Sequence, residues 1–84
     1  MTVAEKIEQG GWEEVVIFSN PSYDSAFIGV SHDDRAVYDY EKMIVYLMDT
    51  DGMTYEEAVE FIDYNTLRSL SYVSNSPIIV FADF

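Results

Sequence analysis

Cysteine is absent from the chain, and basic side chains are scarce. Without cysteine there is no disulfide framework, no thiolate zinc site and no cysteine nucleophile. Four Lys and Arg stand against 16 Asp and Glu, a formal net charge of -12. Phosphates would be repelled by such a surface, which argues against direct binding to DNA, RNA or an anionic membrane. Proline occurs twice and glycine four times, and no linker, repeat or low-complexity tract divides the sequence. The longest apolar runs, such as Met43 to Met48, fall far short of the ~20 residues a membrane helix needs. Residues 1–14 hold Glu5, Glu8, Glu13 and Glu14 and lack the apolar stretch of a secretory signal. A cytoplasmic location is the resulting expectation.

What is present argues for a folded domain. The chain is 49% hydrophobic and 15% aromatic, too rich in both for a disordered acidic tail. At 84 residues a single domain over 1–84 is expected, with one thin core. Deep substrate cavities are hard to build at this size. A non-enzymatic role is therefore expected, with no cofactor and no metal.

Punctuation residues set the element order. Thr2 and Glu5 form a capping box for a short N-terminal helix carrying Val3, Ala4 and Ile7. Gly10-Gly11 stops it. Val15-Val16-Ile17-Phe18 is β-branched and aromatic, and predicts a strand buried on both faces. Ser19-Asn20-Pro21-Ser22 predicts a loop. Ala26–Val30 and Ala36–Tyr38 predict two strands joined by a turn at Ser31–Asp34, a hairpin without the Asn-Gly signature. Asp39 sits where a helix cap belongs. From Tyr40 to Asp49 the residues Tyr40, Met43, Ile44, Leu47 and Met48 form an apolar stripe at helical spacing, and Asp51-Gly52 breaks the helix. Thr54 and Glu57 form a second capping box. After it Tyr55, Ala58, Val59, Phe61 and Ile62 are expected to face inward. Residues 65–70 continue helically or add a turn, 71–76 read as loop, and Pro77–Phe81 predicts a last strand. The order α-β-β-β-α-α-β defines an α+β domain. A small, mostly antiparallel sheet of three to four strands is expected against two main helices. The last strand is expected beside the first, in either direction.

Acidic residues are the strongest functional signal. Glu56, Glu60 and Asp63 recur at i, i+4 and i+7 and line one face of the Thr54-capped helix, with Glu57 beside them. No Lys or Arg is spaced to pair with them there. Like charges so placed destabilise a helix by roughly 0.2–0.5 kcal/mol per pair. Glu41 and Asp49 lie on the neighbouring helix. The bland reading is a solubilising coat. The sharper reading is a phosphate-like row, since side chains one turn apart are ~5–6 Å from each other. Such a row would fit the basic groove of a nucleic-acid-binding protein. Association would be electrostatically steered and salt-sensitive.

Tyrosine is the second signal, with seven in the chain. Tyrosine supplies large contact area at low entropy cost. Tyr23 in a loop and Tyr46 on the outer side of its helix are interface candidates. Other constellations fail on detail. Asp49-Thr50-Asp51-Gly52 with Glu60 suggests a calcium loop, but the fifth and sixth positions are Met53 and Thr54, not a ligand and glycine. His32 is the only histidine and reads as part of an exposed polar turn. No nucleophile elbow or glycine-rich phosphate loop is present. Arg35 and Arg68 are expected to pair with local carboxylates or to cap a helix end.

The stretches Ala26–Tyr40, Asp51–Thr54 with Glu56-Glu57-Ala58, Phe61–Thr66 and Pro77–Ile79 resemble a group of small acidic proteins of bacteria and their mobile elements. That resemblance covers nearly the whole chain and implies no catalytic residues. In size and charge the chain is also similar to phage-encoded inhibitors of bacterial defence, including anti-CRISPR proteins. The function expected is an acidic interaction protein and inhibitor, a nucleic-acid mimic. Its partner would be a basic protein, a nucleic-acid-binding protein or a CRISPR effector. The candidate partner-binding residues are Glu56, Glu57, Glu60, Asp63, Glu41, Asp49, Tyr46 and Tyr23. The alternative is a small structural or regulatory module that self-associates, as a homodimer for example, through tyrosines and strand edges.

Overall fold

The computed structural model describes residues 2–12, 14–19, 21–70 and 74–81. Helix α1 spans Val3–Gly10. Thr2 Oγ1 accepts from the Glu5 N–H at 3.2 Å, and Glu5 Oε1 accepts from the Thr2 N–H at 3.2 Å. Two orphan donors of the first turn are thereby satisfied. Gly11 ends the helix at φ 78°, a left-handed conformation that glycine adopts without steric cost. Val3 and Ile7, one turn apart, are the side chains α1 buries.

Strands β1 (Phe27–Val30) and β2 (Ala36–Asp39) form the expected antiparallel hairpin. The turn substitutes side-chain chemistry for glycine. Asp34 takes φ 60°, the Arg35 N–H donates to Ser31 Oγ at 3.1 Å, and the Ser31 N–H donates to the Arg35 carbonyl at 2.7 Å. Register shifts between Phe27↔Tyr38 and Gly29↔Val37. The extra residue, Ile28, bulges out and is exposed.

Asp39 caps α2 (Tyr40–Asp51) by accepting from the Lys42 N–H at 3.3 Å. Met43, Ile44 and Leu47 are fully buried. Tyr40 is half-buried, and Met48 lies largely outside the stripe. After Gly52, at φ 65°, Thr54 and Glu57 form the second capping box and start α3 (Tyr55–Phe61). Ala58 and Ile62 turn inward as expected. Tyr55 does not: it is 48% exposed. As the first residue of α3 it reaches across to α2, where its hydroxyl donates to Glu41 Oε1 at 3.0 Å. A surface position lets it keep that polar end satisfied. The helix continues as a π-helical turn, Ile62–Leu67, and a final α turn, Arg68–Leu70.

The last strand, β3 (Ile78–Val80), completes a three-stranded sheet of order β1-β2-β3. It runs parallel to β2, with Val37↔Ile78, Tyr38↔Ile79 and Asp39↔Val80 paired. A parallel pair needs a crossover connection, and α2 with α3 supplies it. The chain is an α+β domain, with one antiparallel and one parallel pairing.

Two strand expectations are corrected here. Val15–Phe18 forms no strand, and β3 pairs with β2, not with that segment. β2 is the central strand with β1 and β3 on its two sides, so β3 has no place for that segment between itself and β2. The segment keeps its apolar destination without a ladder. Val15 is buried, Ile17 and Phe18 pack on the core, and the Phe18 N–H donates to Tyr38 Oη at 3.2 Å. Of the expected loops, 71–73 and Asn20 lie outside the described residues.

An aromatic cluster forms the centre of the core. Tyr23 and Tyr38 are fully buried. The Phe18 ring lies 5.3 Å from that of Tyr23 and 4.8 Å from that of Tyr38, in tilted and edge arrangements that aromatic quadrupoles favour. Tyr23 Oη hydrogen-bonds Thr66 Oγ1 at 2.9 Å, tying the segment before β1 to the π turn.

Candidate functional site

Glu56, Glu57, Glu60 and Asp63 are all exposed. At roughly 100° per residue they fall on the side of the helix opposite buried Ala58 and Ile62. None of the four forms an ion pair among the described residues. Glu57 alone is fixed: its Oε1 accepts from the Thr54 N–H at 2.9 Å. The Thr54 backbone N–H and then the Thr54 hydroxyl hold its carboxyl below the usual glutamate range. The cap that starts α3 therefore also favours the ionised form of one acid of the face.

Glu41 joins this face through the Tyr55 hydroxyl. Tyr55 has its pKa raised, by that hydrogen bond first and then by desolvation and the Glu41 charge. Tyr40 lies in the same neighbourhood. Burial raises its pKa first, and the negative charges of Asp63 and Glu41 add to the shift. The Tyr40 ring packs at 4.9 Å from that of Phe81, which is exposed. Acids from α2 and the α3 side thus converge on exposed or half-exposed aromatic rings. Asp49 is exposed near the far end of α2, and no hydrogen bond or ion pair among the described residues joins it to that face.

The two tyrosine candidates are placed differently from the sequence expectation. Tyr23 is fully buried, which removes it as a contact residue. Its backbone adopts φ 51°, ψ 35°, and the ring turns into the core, where Phe18, Tyr46 and Thr66 meet it. Tyr46 is half-buried, with its ring 5.6 Å from that of Tyr23 and its hydroxyl 3.1 Å from Ser22 Oγ. A loop position suggested exposure, but the left-handed turn at Tyr23 reversed it.

Among the described residues the ion pair formed is Arg35 with Asp33, away from the acidic face. Arg35 lies 4.0 Å from Asp33 and donates through Nε to the Ser76 carbonyl at 2.8 Å, which ties the hairpin turn to the approach to β3. The Arg68 guanidinium lies over the Tyr64 ring at 4.9 Å, within cation–π range. His32 is exposed. Among the described residues no group of three or more His, Asp or Glu is placed to hold a metal ion. No helix there is long and apolar enough to cross a membrane.

Two concavities flank Phe61 and Asn65. One, of about 250 Å³, is lined by Ile17, Phe18, Tyr23, Thr66 and Pro77 among others. The other, about 340 Å³ and shallower, is lined by Met53, Glu57, Glu60 and Tyr64. Phe61 and Asn65 belong to both, so the apolar slot and the carboxylates lie on either side of a shared wall. The slot escaped the sequence reading, because it is formed by a segment expected to be a strand. The π turn carried a faint signal. Asn65-Thr66 interrupts a run of helix formers, and both residues favour competing local hydrogen bonds.

Comparison with protein-family models, with curated proteins and with solved structures finds no match to this chain.

Proposed function

We infer that the chain is a non-enzymatic acidic interaction protein. It acts as an inhibitor by occupying the basic nucleic-acid-binding surface of a partner protein. The observation that carries this reading is the row Glu56, Glu60 and Asp63, exposed on one side of the helix and without an ion pair among the described residues. Glu57 and Glu41 extend that row. Carboxylates one turn apart, ~5–6 Å from each other, present acceptors to Lys and Arg already arranged for phosphates. A net charge of -12 steers encounter with such a surface. The likeness in size and charge to phage-encoded inhibitors of bacterial defence is what suggests a partner such as a CRISPR effector. The test is displacement of a labelled oligonucleotide from purified CRISPR effectors. Displacement should weaken as salt rises, because exposed charges are screened. The triple variant E56K/E60K/D63K, with its fold checked by circular dichroism, should lose displacement at least about tenfold, equivalent to about 1.4 kcal/mol. Equal displacement by wild type and triple variant rejects this face.

A second reading, self-association, is favoured by the exposed Ile28, Tyr64 and Phe81 and by the outer edges of β1 and β3. Light scattering across salt concentrations separates the two. Apolar self-association holds or strengthens in salt, whereas charge-steered capture weakens.

A further inference from the structure

The slot at Phe61 differs from an ordinary surface depression because its far wall is strand-like sequence without a ladder. Val16 and Ile17 line it. Among the described residues their backbone N–H and C=O groups make no hydrogen bond. Where an extended peptide adds to an exposed sheet edge, main-chain bonds give affinity and side-chain pockets give specificity; Val16 and Ile17, though outside the sheet, put the same two elements side by side. The volume, about 250 Å³, lies below the ~300–1,000 Å³ of small-molecule and cofactor sites, and suits one bulky apolar side chain. Across the shared wall of Phe61 and Asn65 stand Glu57 and Glu60.

We propose that this bipartite surface binds an extended segment of the partner protein. One bulky apolar side chain of the segment enters the slot beside Phe61, and a Lys or Arg next to it reaches Glu57 and Glu60. The proposal rests on the reading of the chain as a binder of basic proteins, and names how one piece of that partner is held. Charge selects this occupant over a second copy of the chain. Each copy carries a net -12 with four basic residues, so two copies repel and offer few cations. The π turn contributes directly. It brings Thr66 inward against Tyr23 while Asn65, next to it, lines both concavities, and π-bulges recur at functional sites.

Three blocked hexapeptides test this by ¹⁵N chemical-shift mapping: acetyl-KVFVKK-amide, acetyl-KVSVKK-amide and acetyl-EVFVEE-amide. The first should shift the amides of Val16–Ser19, Phe61 and Asn65. The serine peptide should bind at least about tenfold more weakly, and the acidic peptide should not bind. Glu60→Lys, an exposed change, should weaken the first peptide severalfold at low salt. Because the readout compares peptides on one protein, it does not depend on a variant's folding. Equal binding of the phenylalanine and serine peptides overturns the slot while leaving the acidic-face reading to the oligonucleotide displacement test. Absence of groove shifts with every peptide overturns it as well. So do groove shifts that depend on protein concentration alone, which would assign the slot to self-contact.

Discussion

Helices α2 and α3 start alike and end differently. Each opens on a side-chain cap, Asp39 for α2 and Thr54 for α3. α2 then buries Met43, Ile44 and Leu47 completely and stops at a left-handed glycine. α3 buries only the small Ala58 before Ile62, and runs on into a π turn. Three acids, Glu56, Glu57 and Glu60, cover its outer side, and Asp63 on the π turn extends them. α2 is held by three large buried side chains, whereas α3 relies on its N-terminal cap and a smaller buried face, with its outer surface left for other contacts. The same capping chemistry thus serves a scaffold helix and a presenting one. Each difference between them can be measured.

The largest expected effect is in α2. Leu47→Ala removes a fully buried side chain and should cost about 2–5 kcal/mol, the range for such cavities. A loss of that size is a large part of the stability of a domain of this length. Urea unfolding reads it as a lowered midpoint with an unchanged slope. A comparable loss from Glu60→Ala on α3 would erase the distinction between the helices.

The Tyr23–Thr66 bond, which anchors the π turn, comes next. Tyr23→Phe should cost about 1–2 kcal/mol, because the partner hydroxyl loses a buried hydrogen bond. Alkaline pH probes the same anchor. Burial raises the pKa of Tyr23, and that of Tyr38, above the usual tyrosine value. A raised folded pKa means that the protonated forms are the stabilising ones. Their contribution is complete below the unfolded value of about 10 and is lost as pH rises through the folded values. Thermal midpoints should therefore hold through mildly alkaline pH and fall above about pH 10, less steeply in Tyr23→Phe.

What the sequence made legible divides along the same physical line. Thr2 with Glu5, Asp39, Thr54 with Glu57, Gly11 and Gly52 act over a few residues, and each was readable because cap and partner are neighbours in the chain. The β1–β2 hairpin is local in the same sense. The parallel pairing of β3 with β2 was not readable, since it depends on which strand claims the centre of the sheet. Val15–Phe18 has strand composition but packs on the core without joining the sheet. Tyr23 and Tyr55 exchanged their expected places for a similar reason. Tyr23 found a buried partner in Thr66, 43 residues away, and Tyr55 found Glu41 across two helices. The row on α3 was legible as a pattern. The slot beside it was not, because two of its walls meet only in the folded chain.

The cap of α3 should matter at intermediate size. Thr54→Ala removes the hydroxyl that accepts from the Glu57 N–H at 3.2 Å and should cost about 1 kcal/mol. Glu57 adds a pH signature. Its folded pKa is depressed, chiefly by the Thr54 backbone N–H. The stabilisation it supplies is present above the ordinary glutamate pKa and is lost as pH falls through the folded value. Thr54→Ala keeps that N–H and removes only the hydroxyl, the second cause, so the Glu57 pKa should rise only part of the way toward its ordinary value, which a carboxyl-detected NMR titration measures directly.

The smallest effect is the one with the most information. Glu60→Lys replaces an exposed acid that has no ion pair among the described residues. It converts the repulsive Glu56/Glu60 spacing into an attractive i, i+4 pair of the favoured polarity, worth about 0.2–0.5 kcal/mol. For a chain of this length that is a rise of about 1–4 °C in thermal midpoint. If the row were only a solubilising coat, this gain would carry no functional cost, and the oligonucleotide displacement of the variant would equal that of wild type. If the row is a docking strip, the same substitution should raise the midpoint in calorimetry and weaken displacement severalfold at low salt. The opposed signs are the useful feature. Most damaging substitutions lower stability and binding together, whereas a residue kept for contact at the expense of its own helix moves the two in opposite directions.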